Sequence, residues 1–322
     1  MRILTIGMAF LALPGCLQPQ SPVSTPQQSQ ATAATRKRAN LVNVFFAVRD
    51  QHNALIPNLG KEDFAVLENG TPQIIESFSA ETKLPLTLGI VMDTSGSMQR
   101  MLSEEKLVTA DFLRQVISDK DLAFVLSFDI SVDLLQDLTN DMRLLRSGLE
   151  KARINVGGGS SGIPGSGRGP VPISKPKGTL LFDAVYLASH DVLGEQLGRK
   201  AMVVLTDGVD VGSRLKLQDA IEAAQKADTI CYVLLLTDPQ YGSNSADMRI
   251  LAEQTGGRVI EINRPDRIGD ALRQISAELR SQYSLGYTPD NGRHDGTFRK
   301  IEIRAKGNYK VQVRKGYYAP AK

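Results

Sequence analysis

The rhythm of hydrophobic and polar residues changes twice along the chain. Within 41–82, Val42, Val44, Phe46 and Val48 occupy every second position, the period of a strand with one buried face. The turn-like Asp50-Gln51-His52-Asn53 follows. Phe64 and Val66 then lead to Asn69-Gly70, a strong hairpin signal ahead of Ile74-Ile75. These features predict a small N-terminal β segment.

From Leu84 to Gln282 short apolar runs alternate with helical stripes. The runs predict strands at Leu86 to Met92, Leu122 to Phe128, Ala201 to Leu205, Ile230 to Leu236 and Val259 to Ile262. One stripe runs through Leu107, Ala110, Leu113 and Ile117, and a second through Leu181, Ala184, Val185, Ala188 and Val192. A third takes Leu217, Ile221 and Ala224, a fourth Met248, Leu251 and Ala252 before the stop at Gly256-Gly257, and a fifth Ile268, Ala271, Leu272, Ile275 and Leu279. Parallel crossovers need covering helices, so 83–282 is expected to be an α/β domain with a doubly wound, mostly parallel sheet, Rossmann-like. Ligands of such sheets bind outside the carboxyl ends of the strands.

The tail 283–322 alternates again. Ile301, Ile303 and Ala305 share a face, Gly307-Asn308 turns the chain, and Val311 and Val313 form the returning arm of an expected hairpin. It should pack with 41–82 into one small β module built from both flanks. Its cations Arg299, Lys300, Arg304, Lys306, Lys310, Arg314 and Lys315 are expected on the wet side of that sheet.

The chain begins Met1-Arg2, then an apolar run from Ile3 to Leu13 that is too short to span a bilayer and suits a signal-peptide core. The run ends in Leu13-Pro14-Gly15-Cys16, which resembles the lipobox of bacterial lipoproteins, with Pro14 an unusual residue at its position. The resemblance makes 1–16 a signal peptide and Cys16 a lipidated anchor to a membrane of the cell envelope. An ordinary secretory signal, giving a secreted or periplasmic protein, is the alternative. Residues 17–40, rich in Gln, Ser, Thr, Pro and Ala, bury too little to order themselves and read as a tether.

Composition narrows the chemistry. Among 322 residues, 38 basic and 35 acidic side chains leave a net charge of +3, which gives no ground for a nucleic-acid partner. Two cysteines, Cys16 and Cys231, exclude a disulfide framework and a Cys-rich zinc site, and His52, His190 and His294 are too dispersed to form a ligand cluster. Cys231 lies in the apolar run Ile230 to Leu236 and is expected to be an inert core residue. Hard-oxygen metal sites remain open.

Such oxygens follow the first buried strand, in Asp93-Thr94-Ser95-Gly96-Ser97. Two more stand in matching places: Thr179 at the start of a helix, and Asp207 directly after another apolar strand. Together these residues resemble the metal-ion-dependent adhesion site of the von Willebrand factor A (VWA) domain, which draws D-x-S-x-S, a Thr and an Asp from three loops. Asp93, Ser95, Ser97, Thr179 and Asp207 all match, within a likeness running from Leu84 to Gln282. The flanks look like VWFA-related proteins of acidobacterial type, in Asp63 to Gln73, Tyr283-Ser284-Leu285-Gly286-Tyr287 and Arg314-Lys315-Gly316-Tyr317-Tyr318.

The resemblance implies a Mg²⁺ site, with Mn²⁺ or Ca²⁺ as substitutes. Ser95, Ser97 and Thr179 would ligate directly, and one or both of Asp93 and Asp207 would act through water. All five donors are hard oxygens, which favour these ions. A dication held mainly by neutral hydroxyls keeps charge for a carboxylate of a partner protein. The expected protein is therefore an exported, surface-anchored binding or adhesion module. A structural envelope protein whose cation only stiffens loops is the alternative. A Mg²⁺-dependent phosphotransferase is disfavoured, because Ser95 stands where that chemistry places its acid/base carboxylate, and no Ser-His triad is visible. No enzyme activity is expected.

Two neighbours have weaker roles. Asp210 either supports the third loop near the ion or sits in a surface turn, and Asp183 is expected in the first helical turn, where its charge suits the dipole. The Gly-rich stretch 157–177 leads into Thr179 and is either a lid over the cation or a tolerated insertion.

Overall fold

A computed structural model describes residues 41–80, 84–154, 178–237 and 243–321. The leader with Cys16, the tether 17–40 and the Gly-rich stretch 157–177 lie outside the described residues.

The chain starts with strands β1 (Val42–Arg49), β2 (Phe64–Glu68), β3 (Thr71–Gln73) and β4 (Ile75–Ser79). The α/β region then runs β5 (Leu86–Asp93), α1 (Leu102–Val116), β6 (Leu122–Phe128), β7 (Val132–Thr139), α2 (Met142–Lys151), α3 (Leu181–Leu187) and β8 (Arg199–Thr206). It continues with α4 (Leu217–Lys226), β9 (Thr229–Leu236), α5 (Ser245–Thr255), β10 (Val259–Ile262) and α6 (Ile268–Arg280). Strands β11 (Tyr283–Tyr287), β12 (Phe298–Ala305), β13 (Lys310–Val313) and β14 (Gly316–Tyr318) complete the fold.

Six strands form the central sheet in the order β10-β9-β8-β5-β6-β7. All its pairings are parallel except β6 with the edge strand β7, which is antiparallel. Every residue of β5 and of β9 is buried, as strands covered on both faces require. One apolar cluster joins Leu88, Ile90 and Met92 of β5 to α1 and α6, and a second joins Val91 to α3, α4 and α5. The doubly wound sheet read from the alternation is thus the fold observed. From β5 the chain goes to β6 on one side and returns through β8 on the other, so the crevice at the carboxyl ends of β5 and β8 is the topological switch point.

Four features depart from the sequence reading. The pair β7 and α2 was not anticipated: β7 is a half-exposed edge strand without a continuous apolar run, and α2 is short. In α1 the expected inward residue Leu107 is 60% exposed, and Glu105 and Thr109 are buried instead. The helix that begins with α3 widens into a π turn over Ala188–Leu193, which buries Leu193 completely and leaves Val192 half-buried. The tail hairpin is also not a ladder, because β12 pairs with β2 and β14, whereas β13 pairs with β1.

The flanks form two four-stranded antiparallel sheets, ordered β13-β1-β11-β4 and β14-β12-β2-β3, that share one apolar core. Asn69-Gly70 closes the β2–β3 hairpin with φ of 49° and 84°, the left-handed pair of a type I′ turn. Phe46, Phe64 and Tyr283 bring their ring centroids to 5.1–5.3 Å in the core. Two of the seven cations are not on the wet side. Arg299 (2% exposed) faces Glu68 and Arg314 (8%) pairs with Asp228, whereas Lys300, Arg304, Lys306, Lys310 and Lys315 are exposed. Desolvation draws the Arg314 guanidinium down to about 10, still charged at neutral pH.

A buried carboxylate fastens the module to the α/β region. Glu278 of α6, fully shielded, accepts from Arg258 at 2.6 Å and pairs with Arg49 of β1 at 2.5 Å, while Gln312 of β13 donates to its other oxygen at 3.2 Å. A buried acid held by two guanidiniums and an amide is fully compensated.

Candidate functional site

Three loops meet at the switch point. The first leaves β5 at Asp93, whose neighbours across the sheet are Phe128 on β6 and, one residue earlier, Leu205 opposite Met92 on β8. Asp93 is fully buried. Its Oδ1 accepts the Ser95 N–H at 2.9 Å and its Oδ2 accepts the Thr206 hydroxyl at 2.7 Å, which ties the first loop to the end of β8. A 3₁₀ turn over Gly96–Arg100 follows, and the Ser95 and Ser97 hydroxyl oxygens lie 3.0 Å apart.

The second loop presents Thr179, 8% exposed. Its backbone exchanges two hydrogen bonds with Val211 of the third loop, at 2.9 and 3.0 Å. The next amide, Leu180 N–H, donates at 2.8 Å to the carbonyl of Asp129, just past β6. The third loop carries Asp207, 6% exposed, whose Oδ1 accepts the Val209 N–H at 3.0 Å. Gly208 donates to the Thr206 hydroxyl at 3.0 Å. Asp93, Ser95 and Ser97 therefore sit in one bonded loop, fastened to Asp207 through Thr206, and Thr179 is held to the Asp207 loop through Val211.

Asp210 and Asp183 work as a reciprocal clamp. Asp210 Oδ1 accepts the Phe182 N–H at 3.3 Å, in the first turn of α3, and the Ser213 hydroxyl at 2.5 Å. Asp183, in that first turn, accepts the Arg214 and Leu215 amides at 3.1 and 2.9 Å. Asp210 thus steadies the third loop, and Asp183 does more than face a dipole. Sequence reasoning missed Thr206 and Asp129. Thr206 carried a signal, being the residue before Asp207 at a strand end. Asp129 had a similar one, placed just after β6.

The donors fit a hard divalent cation. Two carboxylates and three hydroxyls, all hard oxygen donors, lie on three loops joined by hydrogen bonds, and among the described residues no group of three His, Cys, Asp or Glu side chains that could hold a metal ion is formed. Burial above all, with the charge of Asp207 added, pushes the Asp93 carboxyl up to about 7, against the hydrogen bonds from Ser95 and Thr206. A positive ion relieves that strain by favouring the ionised form.

Gly208 is a local requirement of this cleft. Its φ is +80°, and a Cβ there would stand 2.6 Å from the Asn244 carbonyl oxygen. Gly208→Ala is expected to cost about 1–3 kcal/mol, read as a lower urea midpoint at unchanged slope. An unchanged midpoint would show that the loop relaxes freely.

The central, mostly parallel sheet with one antiparallel edge strand and helices on both faces is a fold that solved structures share. A von Willebrand factor type A protein from Catenulispora acidiphila superposes on 88% of this chain and 74% of its own, at 11% identity and a TM-score of 0.50, which shows the fold alone. Proximal thread matrix protein 1 from the mussel byssus, with a zinc-occupied MIDAS motif, covers 65% of this chain and 48% of its own, at 13% identity and a TM-score of 0.49. The conserved hypothetical protein BatB from Bacteroides thetaiotaomicron covers 60% and 97%, at 18% identity and a TM-score of 0.44. No protein-family model and no curated protein matches the sequence.

Proposed function

We propose that this protein is an exported binding module that engages a protein partner through a divalent cation at the β5–β8 crevice. Asp93, Ser95, Ser97, Thr179 and Asp207 would hold Mg²⁺, or Mn²⁺ or Ca²⁺ in its place. The observation that carries the reading is the bonding of these three oxygen-bearing loops to one another at the switch point of the sheet. When bound, the cation supplies a positive centre that attracts a carboxylate of the partner. The chain's own residues fix the loops: Thr206 orients Asp93, Val211 anchors Thr179, and Asp210 with Asp183 holds the third loop against α3.

The reading is one of binding rather than catalysis. Ser95 occupies the place of a phosphotransferase acid/base carboxylate. His190 bonds Asp191 at 2.7 Å and stacks on Tyr186, while the His52 side chain is 92% exposed. The acidobacterial kinship of the flanks and a lipid anchor at Cys16 complete the proposal, which places the domain on the cell envelope. Among the described residues no helix is long and apolar enough to cross a membrane.

Calorimetric titration of Mg²⁺ into the full chain is the test. Wild type is expected to take up one ion, and Thr179→Ala to bind about 100-fold more weakly. A partner from envelope extract should be retained in Mg²⁺ and released by chelator. Uptake of the ion with chelator-insensitive partner binding would favour the loop-stiffening role, and no uptake by wild type would end the reading.

A further inference from the structure

Helix α1 turns two polar side chains inward. Glu105 and Thr109, one helical turn apart, are both fully buried on a helix whose Leu102, Phe112 and Leu113 belong to an apolar cluster with Met92 and Met98. Neither oxygen of the Glu105 carboxylate has a hydrogen-bond partner, and the Thr109 hydroxyl has none. Natural interiors rarely keep an acid without donors, because desolvation of its charged form is uncompensated. A methionine of similar volume would serve the packing better.

The place of Glu105 gives the acid a use. It sits in the first turn of α1, just beyond the 3₁₀ turn that carries Ser97. The helix packs in one apolar cluster with Met92 and Met98, the chain neighbours of Asp93 and Ser97, which sets Glu105 behind the first loop; burial first, and then the charge of Asp93, raise its carboxyl well above the ordinary range. Among the described residues no cationic side chain acts on it in return. Among the described residues it joins no group of three acidic, His or Cys side chains that could hold a metal ion.

We propose that Glu105 is the buried counter-charge of the cation site, a positioning residue that acts through Asp93 and tightens the hold on a divalent ion without touching it. This inference rests on the reading of the cleft given above. Positive charge in the crevice is the partner that the interior withholds from Glu105. Thr109, four residues on, keeps a free hydroxyl on the same helix face that can turn to the ionised acid. The D-x-S-x-S, Thr and Asp pattern contains no such residue.

The experiment uses the full chain with Mg²⁺ and, separately, Mn²⁺ as probes. Cation affinity is measured by calorimetry, and the melting temperature is measured in chelator, for wild type, Glu105→Gln, Glu105→Met and the half-buried neighbour Glu104→Gln. Both Glu105 variants are expected to bind about tenfold more weakly, within the usual effect of an outer partner of a metal site. Glu104→Gln should bind as wild type does. In chelator Glu105→Met should melt about 2–4 °C higher, because it removes an unbonded acid from the core. Wild-type affinity in both Glu105 variants would overturn the inference and leave the cleft reading standing. A lower melting temperature of both in chelator would overturn it too, by making Glu105 a structural residue. If wild type itself takes up no cation, the cleft reading fails and this inference with it.

Discussion

Glu68→Leu is expected to destabilise the protein by about 3–5 kcal/mol, the usual effect of removing one partner from a buried charged pair. Glu68 is 4% exposed, and its Oε2 accepts the hydroxyls of Tyr287 and Tyr317, each at 2.9 Å. Its Oε1 faces the Arg299 guanidinium at 3.5 Å. Arg299 also donates to the carbonyls of Asn291 and Arg293, and it is almost wholly buried. Leucine at 68 fills the volume, leaves the guanidinium with the exposed Asp295 carboxylate at 3.8 Å in place of its buried anion, and leaves two phenols without their acceptor. Burial, with the neighbouring carboxylate's charge, raises both phenols, so they stay protonated donors across the physiological range. Urea unfolding of Glu68→Leu, Arg299→Met and the double variant measures the coupling. The double variant should lose less than the sum of the two single losses. A loss below about 1 kcal/mol in Glu68→Leu would place it among ordinary surface pairs and remove the network from the account.

That network gives physical meaning to flank segments that the sequence offered only as a likeness. Glu68 lies in the Asp63 to Gln73 segment, Tyr287 ends Tyr283-Ser284-Leu285-Gly286-Tyr287, and Tyr317 lies in Arg314 to Tyr318. Far apart in the chain, they meet at one carboxylate. Alternation showed that both flanks are strands, because a pleat exposes its period locally. It did not show that β12 joins β2 while β13 joins β1, since register and partner are long-range properties. Counting charges likewise could not reveal that Arg299 and Arg314 turn inward, because burial of a cation depends on an anion or carbonyls brought by other strands.

The cleft was more legible than its foundations. Asp93, Ser95, Ser97, Thr179 and Asp207 each stand at a strand end or helix start, so local spacing exposes them. Glu105 and Thr109 occupy the buried face of α1, and a search for apolar periodicity passes over polar residues. The same search placed Leu107 inward, although it is 60% exposed. Helix α1 thus reads wrongly where its core face carries charge and hydroxyl instead of hydrocarbon, in the turns that follow the loop of Asp93, Ser95 and Ser97.

Metal-free protein is expected to lose stability as the pH rises from about 4 to about 7. The Asp93 carboxyl, near 3.8 in an unfolded chain, is pushed up to about 7 by burial and by Asp207, so between these values the folded state binds the extra proton. Its stabilising share is complete below the lower value and is lost on passing the upper one, a change of about 4 kcal/mol at 1.36 kcal/mol per pH unit. Glu105 is raised in the same sense and adds to the slope. Urea midpoints in chelator at pH 5 and pH 8 measure the effect, and Asp93→Asn should remove much of the difference between them. Saturating Mg²⁺ should flatten the slope in wild type, because an ion that favours ionised carboxylates stabilises the protein most where the proton has left. Equal slopes with and without Mg²⁺ would mean that Asp93 and the cation do not share a site. The acid whose burial costs stability at neutral pH is thus the acid whose ionised form a divalent ion bound in the crevice would favour.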